Sequence, residues 1–237
     1  MLEALLLAAV ALQLGLRVAG RPSLASRLLP LSGERAPFLI WAARLWISFF
    51  APTLAALLLL GRVDALWRLP PEFDTATRLA RSWGGVEAWP ILTGLALGSA
   101  LGAAVAWWRG RRGKRQLHFG RPPRLPERRG ELPATVALAM SAGVAEEAYF
   151  RLLAPFLVTL VSGSALVGVA ASVLLFGLMH RYQGWVGMVA TGTAGLFLSF
   201  VHLASGSLWL AMLCHAIIDL NGLVIRPALG WGSSAAR

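Results

Sequence analysis

Seven long apolar stretches, at 2–18, 37–60, 89–108, 132–160, 165–180, 186–202 and 208–225, constrain what this chain can fold into more than any other feature. A helix that crosses the hydrocarbon of a bilayer needs about 20 predominantly apolar residues, and a chain in lipid must satisfy its backbone hydrogen bonds internally. Each stretch therefore reads as a membrane-spanning helix. The first is shortened by Gln13 and Arg17. The fourth is long enough to begin with an amphipathic turn at the membrane surface. Pro155, in its second half, removes a backbone hydrogen bond and bends it. Composition agrees: 57% of the 237 residues are hydrophobic and only 14% are charged, against about 25% charged in ordinary soluble domains. The expectation is an all-α fold, a polytopic transmembrane helical bundle of about seven spans.

The connecting segments orient that bundle. Segment 17–36 carries Arg17, Arg21, Arg27 and Arg35 against Glu34, and segment 109–131 carries nine basic residues against two glutamates. Segment 61–88 is balanced, with four arginines against Asp64, Glu72, Asp74 and Glu87. Basic residues concentrate in cytoplasmic loops, so the first and third segments face the cytoplasm. With seven spans the N-terminus is then outside and the C-terminus, bearing Arg226 and Arg237, is cytoplasmic. The net charge of +11 would also suit nucleic acid. The basic residues lie between apolar spans, however, without the fold signals of a nucleic-acid module, and anionic lipid headgroups are the expected contact. Cys214 is the sole cysteine, which excludes an intrachain disulfide and reads as a packed thiol beside His215. The apolar start has Glu3 where a signal peptide carries a basic region, so a retained first helix is expected despite Val18-Ala19-Gly20. Arginine-for-lysine, alanine-rich usage fits a GC-rich bacterial genome and an inner-membrane location. The organisation expected is N-terminal helices and a basic loop over 1–131, a working core over 132–226 and a short tail at 227–237.

Three polar clusters interrupt the apolar core: Glu146-Glu147-Ala148-Tyr149-Phe150-Arg151, Phe176-Gly177-Leu178-Met179-His180, and His215-Ala216-Ile217-Ile218-Asp219. Charged groups at membrane depth are costly and mark function. On a helix Glu147 and Arg151 share a face and pair, while Glu146 is rotated by about 100° and is free to act as general base toward water. A buried ion network that only fixes packing is the structural alternative. Phe176 with His180, and His215 with Asp219, repeat the four-residue spacing. Two mechanisms follow. In one, Glu146 deprotonates water with His180, while His215 and Asp219 stabilise the oxyanion, and no cofactor is required. In the other, His180, His215 and Asp219 hold zinc, which acidifies the water. Both hydrolyse an amide. A non-catalytic membrane scaffold and a transporter or proton relay are the competing classes; the relay needs polar residues along the first three spans, which nearly lack them.

These motifs, in this order and in successive apolar spans, resemble the signature of the CPBP family of CAAX-protease and bacteriocin-processing intramembrane endopeptidases. The similarity runs from about Pro133 to Gly222 and includes Ser205-Gly206-Ser207-Leu208-Trp209 ahead of His215. The resemblance implies a membrane-embedded peptidase acting on a prenylated or membrane-associated peptide or protein, or a bacteriocin-immunity partner of the same fold. It implies Glu146 as water-activating base beside His180, Glu147 as supporting carboxylate, His215 with Asp219 as oxyanion pocket, and Arg151 and Phe176 as structural support. Two positions depart from the pattern: Leu152 stands where glycine often follows the arginine, and Asp219 where many members have asparagine. An ionised Asp219 would repel an oxyanion, so it is either protonated or orients His215. Among single residues, His202 reads as interfacial, His118 as solvated, and Arg44 as snorkelling or facing a cavity near a substrate carboxylate. Gly184, Gly187, Gly192 and Gly195 read as close helix contacts.

Overall fold

The computed structural model describes residues 1–30, 37–84, 87–114, 117, 120–121 and 124–230. Glu34, Arg35, Arg115, His118 and the tail from 231 to 237 lie outside the described residues. The fold is all-helical: 84% of the described residues lie in helices, and no strand occurs among them. Helices α1 (Leu2–Val18), α2 (Leu24–Leu28) and α3 (Pro37–Leu45) lead through a π-helical turn, Trp46–Phe50, into α4 (Ala51–Leu59). Two 3-10 turns precede α5 (Asp74–Ser82), and α6 (Ala88–Arg111) follows. Helix α7 (Leu132–Glu147) runs through a second π-helical turn, Ala148–Leu153, into α8 (Ala154–Ser162). Then come α9 (Ala165–Met179), α10 (Gly184–Ser205) and α11 (Leu208–Asp219), the last continuing through a third π-helical turn, Leu220–Ile225, into α12 (Arg226–Gly230).

Among the described residues, four helical runs are long and apolar enough to cross a membrane: Pro37–Leu59, Ala88–Arg111, Arg181–Ser205 and Leu208–Leu229. The other three predicted stretches are helical but differ in kind. Helix α1 has 17 residues and α9 has 15, while the run from α7 into α8 carries Glu146, Glu147 and Arg151 at its middle.

Each π-helical turn is followed by one residue and then a proline: Pro52, Pro155 and Pro227. A proline has no N–H for the carbonyl four residues back, and its ring crowds that carbonyl. Widening the preceding turn takes up the mismatch within a continuous helix. The bend expected at Pro155 is thus accompanied by a wide turn that holds Arg151. Ser172, from α9, donates its hydroxyl to the carbonyl of Phe150 inside that turn.

The α7–α8 run is the axis of the bundle. Every residue from Glu147 to Leu157 is buried, as a helix surrounded on all sides must be; α1, α3, α9 and α11 pack around it. Helices α7 and α11 touch at Gly143, where a Cβ would sit 2.8 Å from the Met212 carbonyl and 3.0 Å from the Ala216 methyl. The α8–α9 and α10–α11 connections use the same tripeptide, Ser162-Gly163-Ser164 and Ser205-Gly206-Ser207. In each the glycine takes the left-handed conformation that ends a helix, and the second serine accepts the N–H of Val167 or Leu210 to cap the next. Helix α6 lies at the periphery, packed against α11 and α12 and exposing Leu97 and Leu101.

Segment 62–82 folds over the end of the bundle where those two connections lie. Fully buried Phe73 packs edge-on to Phe156 and His202, with ring centroids 6.1 and 6.3 Å away. Arg62 grips Glu72 through two bonds of 2.6 and 2.9 Å and lies over the Phe156 ring. That guanidinium holds the Glu72 carboxyl below the usual carboxylate range. Arg81 donates through Nε to the Ala204 carbonyl at 3.2 Å, near the C-terminal end of α10.

Candidate active site

The three polar clusters meet at the opposite end, around a cavity of about 800 Å³. Glu146, Phe176, His180, His215 and Asp219 all line it. The two adjacent glutamates part company there. Glu146 is partly exposed on the cavity wall and, among the described residues, has no hydrogen-bond or ion-pair partner. Glu147 lies behind the wall with a fully buried side chain. One of its oxygens meets Arg151 Nε at 3.0 Å, the pair that helical spacing predicts, and the other accepts from His215 Nδ1 at 2.7 Å.

Phe176 is the hub between the motifs. Arg151 stacks its guanidinium over the Phe176 ring at 4.2 Å, an arrangement that favours a desolvated cation. The rings of His180 and His215 lie 4.9 and 6.1 Å from it. At the end of α9, His180 Nδ1 lies 2.8 Å from the Phe176 carbonyl. A carbonyl only accepts, so Nδ1 carries the hydrogen, and in the neutral ring Nε2 keeps its lone pair. His215 Nδ1 likewise donates to Glu147, and its Nε2 lies 3.6 Å from Asp219 Oδ2. That separation exceeds a hydrogen bond and suits electrostatic orientation of the ring.

The metal alternative requires three converging donors. Among the described residues no three His, Cys, Asp or Glu side chains are placed to hold one ion. Nδ1 of His215 is committed to Glu147 and Nδ1 of His180 to the Phe176 carbonyl. His180, His215 and Asp219 line the same cavity, and Nε2 is the nitrogen each histidine ring leaves available.

A comparison with protein-family models bears on the same residues. Residues 128–221 match the type II CAAX prenyl endopeptidase Rce1-like family. The matched stretch contains all three clusters and agrees with the resemblance to CPBP endopeptidases drawn from the motifs. Neither a curated protein nor a solved structure matches the chain significantly. The chain is similar to that family over this segment, and the apolar helices around it support an integral membrane protein.

Some positions differ from their sequence reading. His202 is buried at 2% exposure against Phe73 rather than interfacial, because segment 62–82 covers the end of α10. Glu147 touches His215, not Glu146. Cys214, by contrast, is a buried free thiol, in agreement with its reading as a packed thiol. Arg44 does face the cavity, with Nε and Nη2 donating to the Leu29 carbonyl at 3.0 and 2.6 Å. Four more arginines that read as topology signals line the same cavity; for Arg17, its place inside an apolar stretch was the available clue.

Proposed function

We propose that the chain is an intramembrane endopeptidase that hydrolyses a peptide bond near the cytoplasmic face of a bacterial inner membrane. The observation that carries this reading is one cavity wall bearing an unpaired, partly exposed carboxylate, Glu146, beside two histidines whose Nδ1 atoms are already fixed. In the proposed reaction Glu146 takes a proton from a water in the cavity, and His180 Nε2 orients that water. The hydroxide attacks the scissile carbonyl. His215, acting as the imidazolium with Glu147 on Nδ1, presents Nε2–H to the oxyanion. Asp219 orients the ring from 3.6 Å rather than touching the oxyanion. Collapse of the tetrahedral intermediate passes the proton from Glu146 to the leaving amine.

Seven spans, an outside N-terminus and a cytoplasmic C-terminus fit this reading. The cavity is lined by Arg17, Ser23, Arg121 and Arg124 from the basic segments assigned to the cytoplasm, and the charge-balanced segment 62–82 covers the other end. Substrates are peptides or proteins, prenylated or membrane-associated, with the bilayer as partner.

The test is incubation of the detergent-purified protein with internally quenched S-farnesylated CAAX peptides and their unprenylated counterparts. Products are identified by mass spectrometry with and without a strong chelator. Internal peptide-bond hydrolysis that survives the chelator is expected. Absence of hydrolysis across both panels overturns the reading.

A further inference from the structure

Five arginines, Arg17, Arg44, Arg121, Arg124 and Arg226, line the cavity that holds Glu146, and the acidic residues among its lining are only Glu146 and Asp219. None of the five forms an ion pair with a carboxylate among the described residues. Three are held in place by neutral groups. Arg44 donates to the Leu29 carbonyl, Arg17 to the Ser48 hydroxyl while lying over the Phe49 ring, and Arg226 to the Leu117 carbonyl. The Nε atoms of Arg17 and Arg226 are buried without a partner among the described residues. A bundle that needed arginines only for orientation would leave them in headgroup water. Here Arg17, Arg44 and Arg226 are partly buried and held by neutral groups, and with the exposed Arg121 and Arg124 they line one cavity.

We propose that this arginine set is a carboxylate-reading subsite of the substrate. A guanidinium offers a planar fork of donors that matches a carboxylate. A lipid phosphate would meet the same chemistry; the peptide is favoured because the arginines line the same cavity as Glu146, His180 and His215, where a peptide placed for cleavage lies. The anion therefore belongs to the peptide being cut, as its C-terminal carboxylate or an acidic side chain close to the scissile bond. This rests on the endopeptidase reading and adds the feature that selects the peptide.

The experiment measures binding apart from turnover. Three fluorescent S-farnesylated pentapeptides of otherwise identical sequence are titrated into the detergent-purified full chain and followed by anisotropy: a free acid, its C-terminal amide, and the amide with glutamate as its last residue. The free acid is expected to bind at least about tenfold tighter than the plain amide, the scale of a charge-assisted hydrogen bond. Arg44→Gln and the exposed Arg124→Gln should each reduce that ratio. Arg124→Gln keeps the test valid if Arg44→Gln disturbs folding. If the glutamate-ended amide binds like the acid, a side-chain carboxylate satisfies the site; if it binds like the plain amide, the site requires the chain end. Equal binding of all three peptides overturns the proposal, and displacement of all three by phosphatidylglycerol micelles would then assign the arginines to lipid. Cleavage followed in parallel separates the two readings. Hydrolysis without acid preference leaves the endopeptidase and removes the subsite, whereas acid preference without hydrolysis does the reverse.

Discussion

Replacing Arg151 with methionine leaves the buried Glu147 carboxylate without its guanidinium, with only His215 Nδ1 beside it. The two side chains are 1% and 0% exposed and 3.0 Å apart, so neither can turn to water for compensation. Removing one partner of such a pair costs about 3–5 kcal/mol, whereas removing both charges together is often close to neutral, because the desolvation penalty leaves with the attraction. At roughly 2–4 °C per kcal/mol for a chain of this size, Arg151→Met lowers Tm by roughly 6–20 °C. The double variant Glu147→Gln with Arg151→Met recovers most of the loss, since the introduced amide still accepts from His215 Nδ1. Cys214, the sole cysteine and fully buried, supplies the assay: a thiol-reactive fluorogenic dye reports unfolding of the detergent-solubilised protein directly. Additive losses in the double variant, or a single-variant shift within about 2 °C, would refute the reasoning that Glu147 and Arg151 form one buried unit.

Three further outcomes follow from particular contacts. Gly143→Val places a Cβ against the Met212 carbonyl, 2.8 Å away. It should cost about 1–3 kcal/mol as overpacking and lower kcat by drawing His215 from Glu147, whereas Gly192→Ala, whose Cβ meets Gly177 Cα at an ordinary 3.9 Å, should be mild; paired melting and rate measurements check this. Ser172→Ala removes the hydroxyl that serves the Phe150 carbonyl in the π-helical turn and should cost about 1–3 kcal/mol, read with the same thiol dye. The Glu72 carboxyl titrates below its unfolded value because Arg62 holds its ionised form. Its contribution to stability is therefore complete above the unfolded value of about 4.3 and lost as pH falls through the lower folded value. A melting series below pH 5 should show Glu72→Gln with a flatter acid limb than the wild type.

What the sequence made legible were properties of single helices. The Glu147–Arg151 pair, the shared face of Phe176 and His180, and the ends of the apolar stretches depend only on spacing and hydropathy, and they appear where spacing puts them. Contacts across helices were not legible in the same way. His215 reaches Glu147 because α11 lies against α7 at Gly143, and no local pattern announces that approach. His202 looked interfacial from its place near a helix end, yet Phe73 arrives from a segment more than a hundred residues earlier to cover it. Pro155 signalled distortion, but that it would follow a widened π-helical turn depends on neighbours such as Ser172, which serves the Phe150 carbonyl. The arginines of segments 17–36 and 109–131 satisfied a topology rule so well that their convergence on one cavity stayed hidden.

In the proposed mechanism Glu146 activates the attacking water while Glu147 holds the site together. The kcat of Glu146→Gln on a cleaved reporter, measured beside its Tm, tests it most directly. A positioned general base contributes about 10²–10⁴-fold, and Glu146 is partly exposed and unpaired among the described residues. Glu146→Gln should lose kcat on that scale with Tm essentially unchanged. A variant that keeps kcat within about tenfold of wild type, or loses activity only in step with its Tm, would contradict it.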